Sequence, residues 1–179
     1  LDCLVVYRDL RSALPTIPAI VEQNDFFELL FCSIYFHDWG KAHIEFQKAL
    51  QGRPNEWSHG RHEIYSTPFV AILTLPTESH KLVCQAILGH HKDFETLLTH
   101  LYTKAEIEEH KRIHSLAISP LDFRENLLHK MNAKYLVQLK KRFHECHAVY
   151  GPEGCEPSFV RVDYAKAEQY YNRSMAIGK

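Results

Sequence analysis

The chain has 179 residues, of which 45% are apolar and 24% are charged, so it resembles one globular domain with a substantial core. Its formal net charge of -1 excludes a strong overall basic field, although a local basic groove for nucleic acid remains open. No run approaches the roughly 18 apolar residues of a membrane span, and no signal peptide is visible, so we expect a cytoplasmic protein that has no membrane partner.

Helical patterns dominate the chain in order from its first residue. Asn24 and Asp25 are typical N-cap residues, and Pro15, Pro54 and Pro76 mark ends of helices. A short strand is possible only over 159–162. We therefore predict one all-α domain over residues 1–179. Its predicted helices cover 1–14, 25–37, 44–50, 61–75, 78–90, 94–102, 104–115, 121–148 and 162–177.

The numbers and spacing of cysteine and histidine indicate which of these residues could bind a metal. The five cysteines are scattered and form no C-x-x-C pair, which indicates reduced thiols rather than a structural zinc site. Of the 13 histidines, four occur in an ordered series described below. The other nine are His43, His59, His80, His100, His110, His114, His129, His144 and His147. We interpret most of these nine as surface or loop residues.

The most informative motif is HDWGK over residues 37–41, which follows the apolar helix predicted over 25–37. Burying His37 and Asp38 at the end of such a helix is unfavourable unless something pairs with them. A divalent metal is the usual partner, because a carboxylate can bridge two cations and a neutral imidazole can bind one. The pair therefore suggests a metal site.

Further residues of the ligand type follow at the edges of apolar helices. They are His62 and the adjacent pair His90 and His91. Two histidines at a helix C-terminus are also typical of a cap that interacts with the helix dipole. Their occurrence after an HD pair favours the metal-site interpretation, with all these residues meeting in the centre of a helical bundle.

Four segments together resemble the HD nuclease domain of the CRISPR-associated helicase-nuclease of type I systems. That family shows HD-x-GK, a phenylalanine–glutamine pair, an HE-x-x-S helix and an A-x-x-GHH helix in this order. The corresponding segments here are HDWGK (37–41), FQKAL (46–50), GRHEIYS (60–66) and AILGHHKD (86–93). The resemblance covers about residues 26–93.

The resemblance implies an HD-domain helical bundle and a metal-dependent nuclease of antiviral defence. Such a nuclease cuts single-stranded DNA, namely the strand displaced when a guide RNA invades a duplex. The implied partners are single-stranded DNA, a superfamily 2 helicase on the same or a separate chain, and the crRNA-guided surveillance complex.

The resemblance also implies a ligand set for two divalent ions. Asp38 would bridge them, and His37 would bind the second. Mixed histidine and carboxylate ligation suits Mn, Fe, Co or Ni, and Mg is possible. Two ions about 3.5–4 Å apart would clamp a phosphodiester and activate a water molecule. The ligands of the first ion, besides Asp38, would be His62, His90 and His91.

Two departures from the family pattern concern the ends of the chain. The family has a further histidine in its first helix and a late aspartate in an apolar helix. Here no histidine precedes His37, and Asp163 lies in a polar context. We therefore expect a domain that lacks a few residues or a helix at each end, and that holds at most one tight metal ion.

Asp38 and Lys41 are the candidate catalytic residues. Lys41 lies one turn beyond the HD pair, where it could hold a phosphate oxygen or balance the charge of Asp38. The alternative is an ordinary surface lysine at a helix start. We interpret Glu63 and Ser66 as residues that support or pack against the ligands.

Support for DNA binding is thinner. Positive side chains cluster in sequence around the predicted site, and Trp39 and Trp57 could stack on unpaired bases. Trp39 could equally fill the core. The candidate DNA-binding residues are Trp39, Arg61 and Lys92, with Lys41, Lys48 and Arg53 nearby in sequence.

Two other functions remain open from the sequence. One is an HD-family phosphohydrolase that acts on nucleotides or cyclic dinucleotides. The other is a scaffold with an incomplete site that serves as an interaction module.

Overall fold

The structure is a computed structural model that describes residues 2–57, 62–91, 130–131, 133–152 and 164–177. Within these ranges it contains helices and a single isolated β-bridge, between His43 and Met131, but no strand. The predicted all-α class is therefore confirmed. The helices predicted over 94–102 and 104–115, and the candidate strand over 159–162, lie outside these ranges. None of the described helices is long and apolar enough to cross a membrane.

Eight α-helices and two short 3-10 helices make up the described part of the chain. The α-helices are α1 (Asp2–Ala13), α2 (Ile17–Ile20), α3 (Phe26–Phe36), α4 (Ile44–Leu50), α5 (His62–Ser66), α6 (Thr77–Gly89), α7 (Ala133–Tyr150) and α8 (Tyr164–Ile177). The 3-10 helices are η1 (Trp39–Ala42) and η2 (Thr67–Ile72).

Helix α3 is the centre of the core. It contacts α1 on one side and α6 on another, so most of its surface is removed from water. Phe31 and Phe36 are fully buried and pack edge-on or tilted against Phe143 of α7, at ring-centroid distances of 5.7 Å. Burying each such ring contributes about 1.5–3 kcal/mol. This packing holds the C-terminal end of α3, where His37 follows, in a fixed position.

The segment predicted as one helix over 61–75 is instead two elements. Helix α5 ends at Ser66 and η2 continues to Ile72. Pro68 lies in the first turn of η2, where it has no N–H to donate to the preceding turn, so the α-helix cannot continue through it. All six residues of η2 are buried, and η2 packs against α8.

The predicted helix over 121–148 is also wrong as a continuous element. Lys130 forms a turn, and Met131 pairs with His43 in the isolated bridge, so α7 begins only at Ala133. The backbone N–H of Ile44 donates to the carbonyl oxygen of Lys130 at 2.8 Å. This long-range contact competes with the helical hydrogen bonds of the segment, which sequence periodicity cannot reveal.

Three histidines interpreted as surface or loop residues are buried. His43, His80 and His147 are 4%, 0% and 8% exposed. The ring of His80 lies between the hydroxyl of Tyr170 and the carbonyl oxygen of Leu73, so both of its nitrogens have partners. A buried imidazole is tolerated here because it is hydrogen-bonded on both sides.

The described cysteines agree with the prediction of reduced thiols. Four of them are free, and Cys155 lies outside the described residues. The free cysteines are Cys3, Cys32, Cys84 and Cys146.

Candidate metal centre

The HD pair lies at the junction between α3 and η1. The backbone N–H of His37 donates to the carbonyl oxygen of Ser33 at 3.0 Å and so completes the last turn of α3, while Asp38 precedes η1 as its N-cap. The N–H of Lys41 then donates to the carbonyl oxygen of Asp38 at 3.0 Å. The two side chains are therefore held by backbone hydrogen bonds on both sides of a tight turn.

The hydroxyl of Ser66 joins this turn to α5. Its Oγ accepts a hydrogen bond from the N–H of Gly40 at 2.7 Å and lies 2.8 and 3.0 Å from the carbonyl oxygens of His37 and His62. One hydroxyl thus contacts the backbone of both segments that carry candidate ligands. The sequence suggested a supporting role for Ser66, and this contact explains how it can act.

Helix α6 supplies the remaining histidines at its C-terminal end. His90 is the C-cap of α6, and its Nδ1 lies 2.6 Å from the carbonyl oxygen of Ile87. The Nδ1 of His37 lies 2.5 Å from the carbonyl oxygen of Ile34 in the same way. Because a carbonyl can only accept, both Nδ1 atoms carry the proton. Each Nε2 is therefore the atom that presents a lone pair when the imidazole is neutral.

The five predicted ligands meet in space although 53 residue positions separate the first from the last in sequence. His62 Nε2 lies 3.1 Å from Asp38 Oδ1 and 3.4 Å from His91 Nε2. His37 Nε2 lies 3.3 Å from Asp38 Oδ2. The rings of His37 and His90 are 4.9 Å apart. Helices α3, α5 and α6 thus direct these side chains to one place.

Among the residues that the structure describes, two groups of three donors are close enough together to hold an ion. One is His62, His90 and His91, and the other is His37, Asp38 and His90. Within each group the donor atoms lie within 4.8 Å of one another. Donors opposite each other on a metal lie about 4.2 Å apart, given metal–nitrogen bonds of about 2.1 Å. Small side-chain rotations would therefore close either group around an ion.

The chemistry of these donors fits a divalent transition metal. Four imidazoles and one carboxylate converge, and nitrogen with carboxylate ligation suits Mn, Fe, Co, Ni or Zn better than Mg or Ca. His37 Nε2 faces an oxygen of Asp38, and His62 Nε2 faces Nε2 of His91. Two lone pairs cannot face each other at such distances, so a proton or a cation has to lie between the atoms of each pair. The structure makes His90 common to both groups, whereas the sequence assigned it to one ion only.

The charges of the centre favour an ionised carboxylate. Burial by itself would raise the pKa of Asp38, but its contacts with His37, His62 and Lys41 outweigh this effect and lower the pKa below its usual value. The hydrogen bond with Asp38 raises the pKa of His37, against the effect of burial. Burial lowers the pKa of His90, which favours the neutral, ligating form of its ring.

Lys41 contacts the centre rather than only the solvent. Its Nζ lies 2.7 Å from Asp38 Oδ1, and the side chain is 39% exposed. Gln47 Nε2 donates to the carbonyl oxygen of Lys41 at 2.6 Å, so the phenylalanine–glutamine pair of α4 helps to hold the end of η1. Sequence reasoning gave Gln47 no such role, although its place in the FQKAL motif was a usable signal.

Of the three candidate DNA-binding residues, the structure describes only Trp39. Trp39 is 1% exposed and packs against Phe36 and Phe69, so its ring cannot stack on a base, and the alternative of a core residue is correct. The indole is buried because η1 folds back onto the core formed by α3. Arg61 and Lys92 lie outside the described residues.

Among the other positive side chains near the centre, Lys48 is paired with Glu45 at 2.7 Å. Its charge is therefore partly neutralised within α4. Arg53 is exposed in the turn that follows α4.

Comparison of the chain with models of protein families, with curated proteins and with solved structures finds no match.

Proposed function

We propose that this chain is an HD-type metal-dependent nuclease that hydrolyses single-stranded DNA. The observation that carries the proposal is the convergence of His37, Asp38, His62, His90 and His91 from three helices on one place. The motifs around these residues supply the second support, because their order resembles that of the nuclease domain of type I CRISPR systems. A helical bundle with a metal centre between α3, α5 and α6 is part of the same proposal.

In this proposal the centre holds divalent transition metal ions. Bound ions of this kind polarise a phosphodiester and make a water molecule nucleophilic at neutral pH. His62, His90 and His91 hold one ion, and His37 with Asp38 contributes to the other. His90 belongs to both groups of donors.

Lys41 has a role in binding the substrate phosphate. Its ammonium group lies 2.7 Å from Asp38 Oδ1. A cation held by Asp38 would take the place of Lys41 opposite this carboxylate, and the ammonium group could then donate to a phosphate oxygen beside the centre. The partial exposure of its side chain permits this movement.

The biological setting follows from the resemblance alone. We propose that the substrate is the DNA strand displaced by a guide RNA, and that the partners are a superfamily 2 helicase and the crRNA-guided surveillance complex. We further propose that the protein works in the cytoplasm as part of antiviral defence.

The test uses metal-free purified chain, to which Mn, Ni, Co, Fe or Mg is added with circular single-stranded DNA as the substrate. We expect cleavage with at least one of the transition metals. Asp38→Ala should lower the rate by at least about 100-fold, because a group that stabilises the transition state is lost. Asp9→Ala is the matched control, since Asp9 is an exposed carboxylate on α1 and should leave the rate unchanged.

Parallel reactions with mononucleotides and cyclic dinucleotides distinguish the alternatives. Hydrolysis of these compounds without cleavage of DNA would support an HD phosphohydrolase and overturn the nuclease proposal. A chain that binds no metal and hydrolyses neither class of substrate would support the interaction module instead.

A further inference from the structure

An aromatic surface extends from the metal centre on the side of His62. The ring of Phe46, in α4, lies 5.8 Å from the ring of His62, and the indole of Trp57 lies 5.3 Å from Phe46. Phe46 and Trp57 are both partly exposed, in contrast to the buried Trp39. An apolar ring surface of this kind therefore begins next to a candidate ligand and continues away from it.

The segment that carries Trp57 is held in place from several directions. Gly52 ends α4 with φ of +64°, a left-handed conformation that turns the chain back and that few other residues adopt. The carboxylate of Glu45 accepts a hydrogen bond from the N–H of Glu56 at 2.8 Å. Asn55 Oδ1 accepts from the N–H of Trp57 at 2.9 Å. The backbone is thus fixed immediately before the indole.

The indole itself rests on a second layer of rings. Tyr65 and His43 lie 4.9 and 5.2 Å from it, and Phe46 meets it at an interplanar angle of 82°. Ordering these rings is part of folding and need not be repeated when a ligand binds. A preorganised aromatic surface loses less conformational entropy on binding than a flexible one.

We infer that Phe46 and Trp57 form a stacking subsite for an unpaired nucleobase of the substrate strand. The inference rests on the proposed nuclease function and specifies how the strand is recognised. Phosphates are spaced by about 3.4 Å or more along a strand, so the distances from His62 to Phe46 and on to Trp57 correspond to one to three nucleotides. A base near the cleaved phosphodiester would therefore reach the subsite.

This subsite explains a preference for single strands by simple chemistry. Bases in a duplex are stacked on their neighbours and offer no free face, whereas an unpaired base can rotate out of the stack and lie against an aromatic side chain. Stacking tolerates any sequence because every base has a flat aromatic face. The subsite needs no hydrogen-bond donor for a base edge, and none is required for a nuclease that cuts without regard to sequence.

The first experiment uses the intrinsic fluorescence of the two tryptophans. A Trp39→Phe variant of the chain keeps Trp57 as its only indole, and a Trp57→Phe variant keeps the buried Trp39. With a chelator present to prevent cleavage, a short oligothymidylate should quench the fluorescence of the Trp39→Phe protein and leave that of the Trp57→Phe protein unchanged. A fully base-paired duplex should quench much less, and an oligonucleotide that contains only abasic sites should not quench at all.

The second experiment measures cleavage with saturating metal. Trp57→Ala should raise the KM for single-stranded DNA about fivefold or more, since stacking contributes at least about 1 kcal/mol per base. Trp57→Phe should restore part of this loss because it keeps an aromatic face. Phe26→Ala is the control, since Phe26 is a partly exposed ring at the opposite end of α3, about 16.5 Å from His37 along the helix axis.

Any of three results would overturn the subsite while leaving the nuclease intact. The first two are cleavage with an unchanged KM in Trp57→Ala, and absence of quenching in a Trp39→Phe protein that still cleaves single strands. Quenching equally strong with the abasic strand would likewise show that the backbone, not a base, contacts the indole. A protein that fails to cleave DNA but shows base-dependent quenching would contradict the nuclease proposal and retain the subsite as a binding surface.

Discussion

A Cβ atom added to Gly40 would overlap the carbonyl oxygen of His62, so the two backbones meet where a side chain has no room. The same added atom would lie 2.9 Å from Ser66 Oγ. Because the obstructing atoms belong to the backbone of α5, they cannot rotate away. Gly40 therefore permits the close approach that places Asp38 next to His62.

Gly40→Ala should separate η1 from α5 and weaken the centre. We expect a loss of stability of about 1–3 kcal/mol or more from overpacking, together with a reduced affinity for metal. Thermal unfolding with and without Mn or Ni measures both effects. Gly52→Ala is the control, because a Cβ at Gly52 meets no atom within 4 Å, so the alanine would be strained only by the positive φ of this position. It should lower stability without changing the stabilisation by metal.

Ser66→Ala should weaken metal binding by shifting the backbone that carries the ligands, because Ser66 is not itself a candidate ligand. It leaves the N–H of Gly40 and the carbonyl oxygen of His37 without their shared hydroxyl, which should cost about 1–3 kcal/mol. Urea unfolding gives this value, and metal titration gives the accompanying change in affinity. The matched variant is Ser33→Ala, whose hydroxyl donates only within α3, to the carbonyl oxygen of Leu29. Equal effects of the two variants on metal affinity would contradict the role of Ser66 as a link.

His90 should be more important for metal binding than His91. His90 belongs to both candidate ligand groups and His91 to one, so His90→Ala removes a donor from each. Replacing residues that only orient ligands costs about 10–100-fold in affinity, so we expect losses of at least about 100-fold for His90→Ala. Metal content after equilibrium dialysis measures this order. His144→Ala, at an exposed position of α7, should leave the content unchanged.

Glu28 should make stability depend on pH. Burial raises the pKa of its carboxyl to about 7 from an unfolded value of 4.5. Between these values the folded state binds more protons than the unfolded state, so stability falls as pH rises through this window. The full effect is up to about 3.5 kcal/mol at about 1.4 kcal/mol per pKa unit. Glu28→Gln abolishes this dependence, so relative to the wild type it should gain stability between about pH 5 and about pH 8.

Urea unfolding at about pH 5 and at about pH 8 gives the free energy of unfolding of Glu28→Gln and of the wild type at each pH. Glu78→Gln is the control, because Glu78 is exposed, and its difference should be the same at both values. A variant that loses stability relative to the wild type as pH rises would contradict the prediction. It would indicate that burial does not raise the pKa of Glu28 in the folded state.

The sequence by itself determined the all-α class and most helix boundaries within the described residues. Proline and glycine mark the ends of α1, α4 and α6, and their effects are local, since they arise from fixed φ, missing N–H groups or a permitted positive φ. The sequence also singled out His37, Asp38, His62, His90 and His91, because ionisable residues at the edges of apolar helices are unusual enough to be noticed.

Only the tertiary structure decided which of these residues meet and which others are buried. The contact between Gly40 and Ser66, the sharing of His90 between two donor groups and the burial of Trp39 all join segments that are separate in sequence. His80 is likewise buried because a tyrosine 90 positions later supplies its hydrogen bond. Local propensity and periodicity report on neighbours along the chain, whereas burial and ligand geometry depend on how helices pack, and that packing reflects contacts over the whole domain.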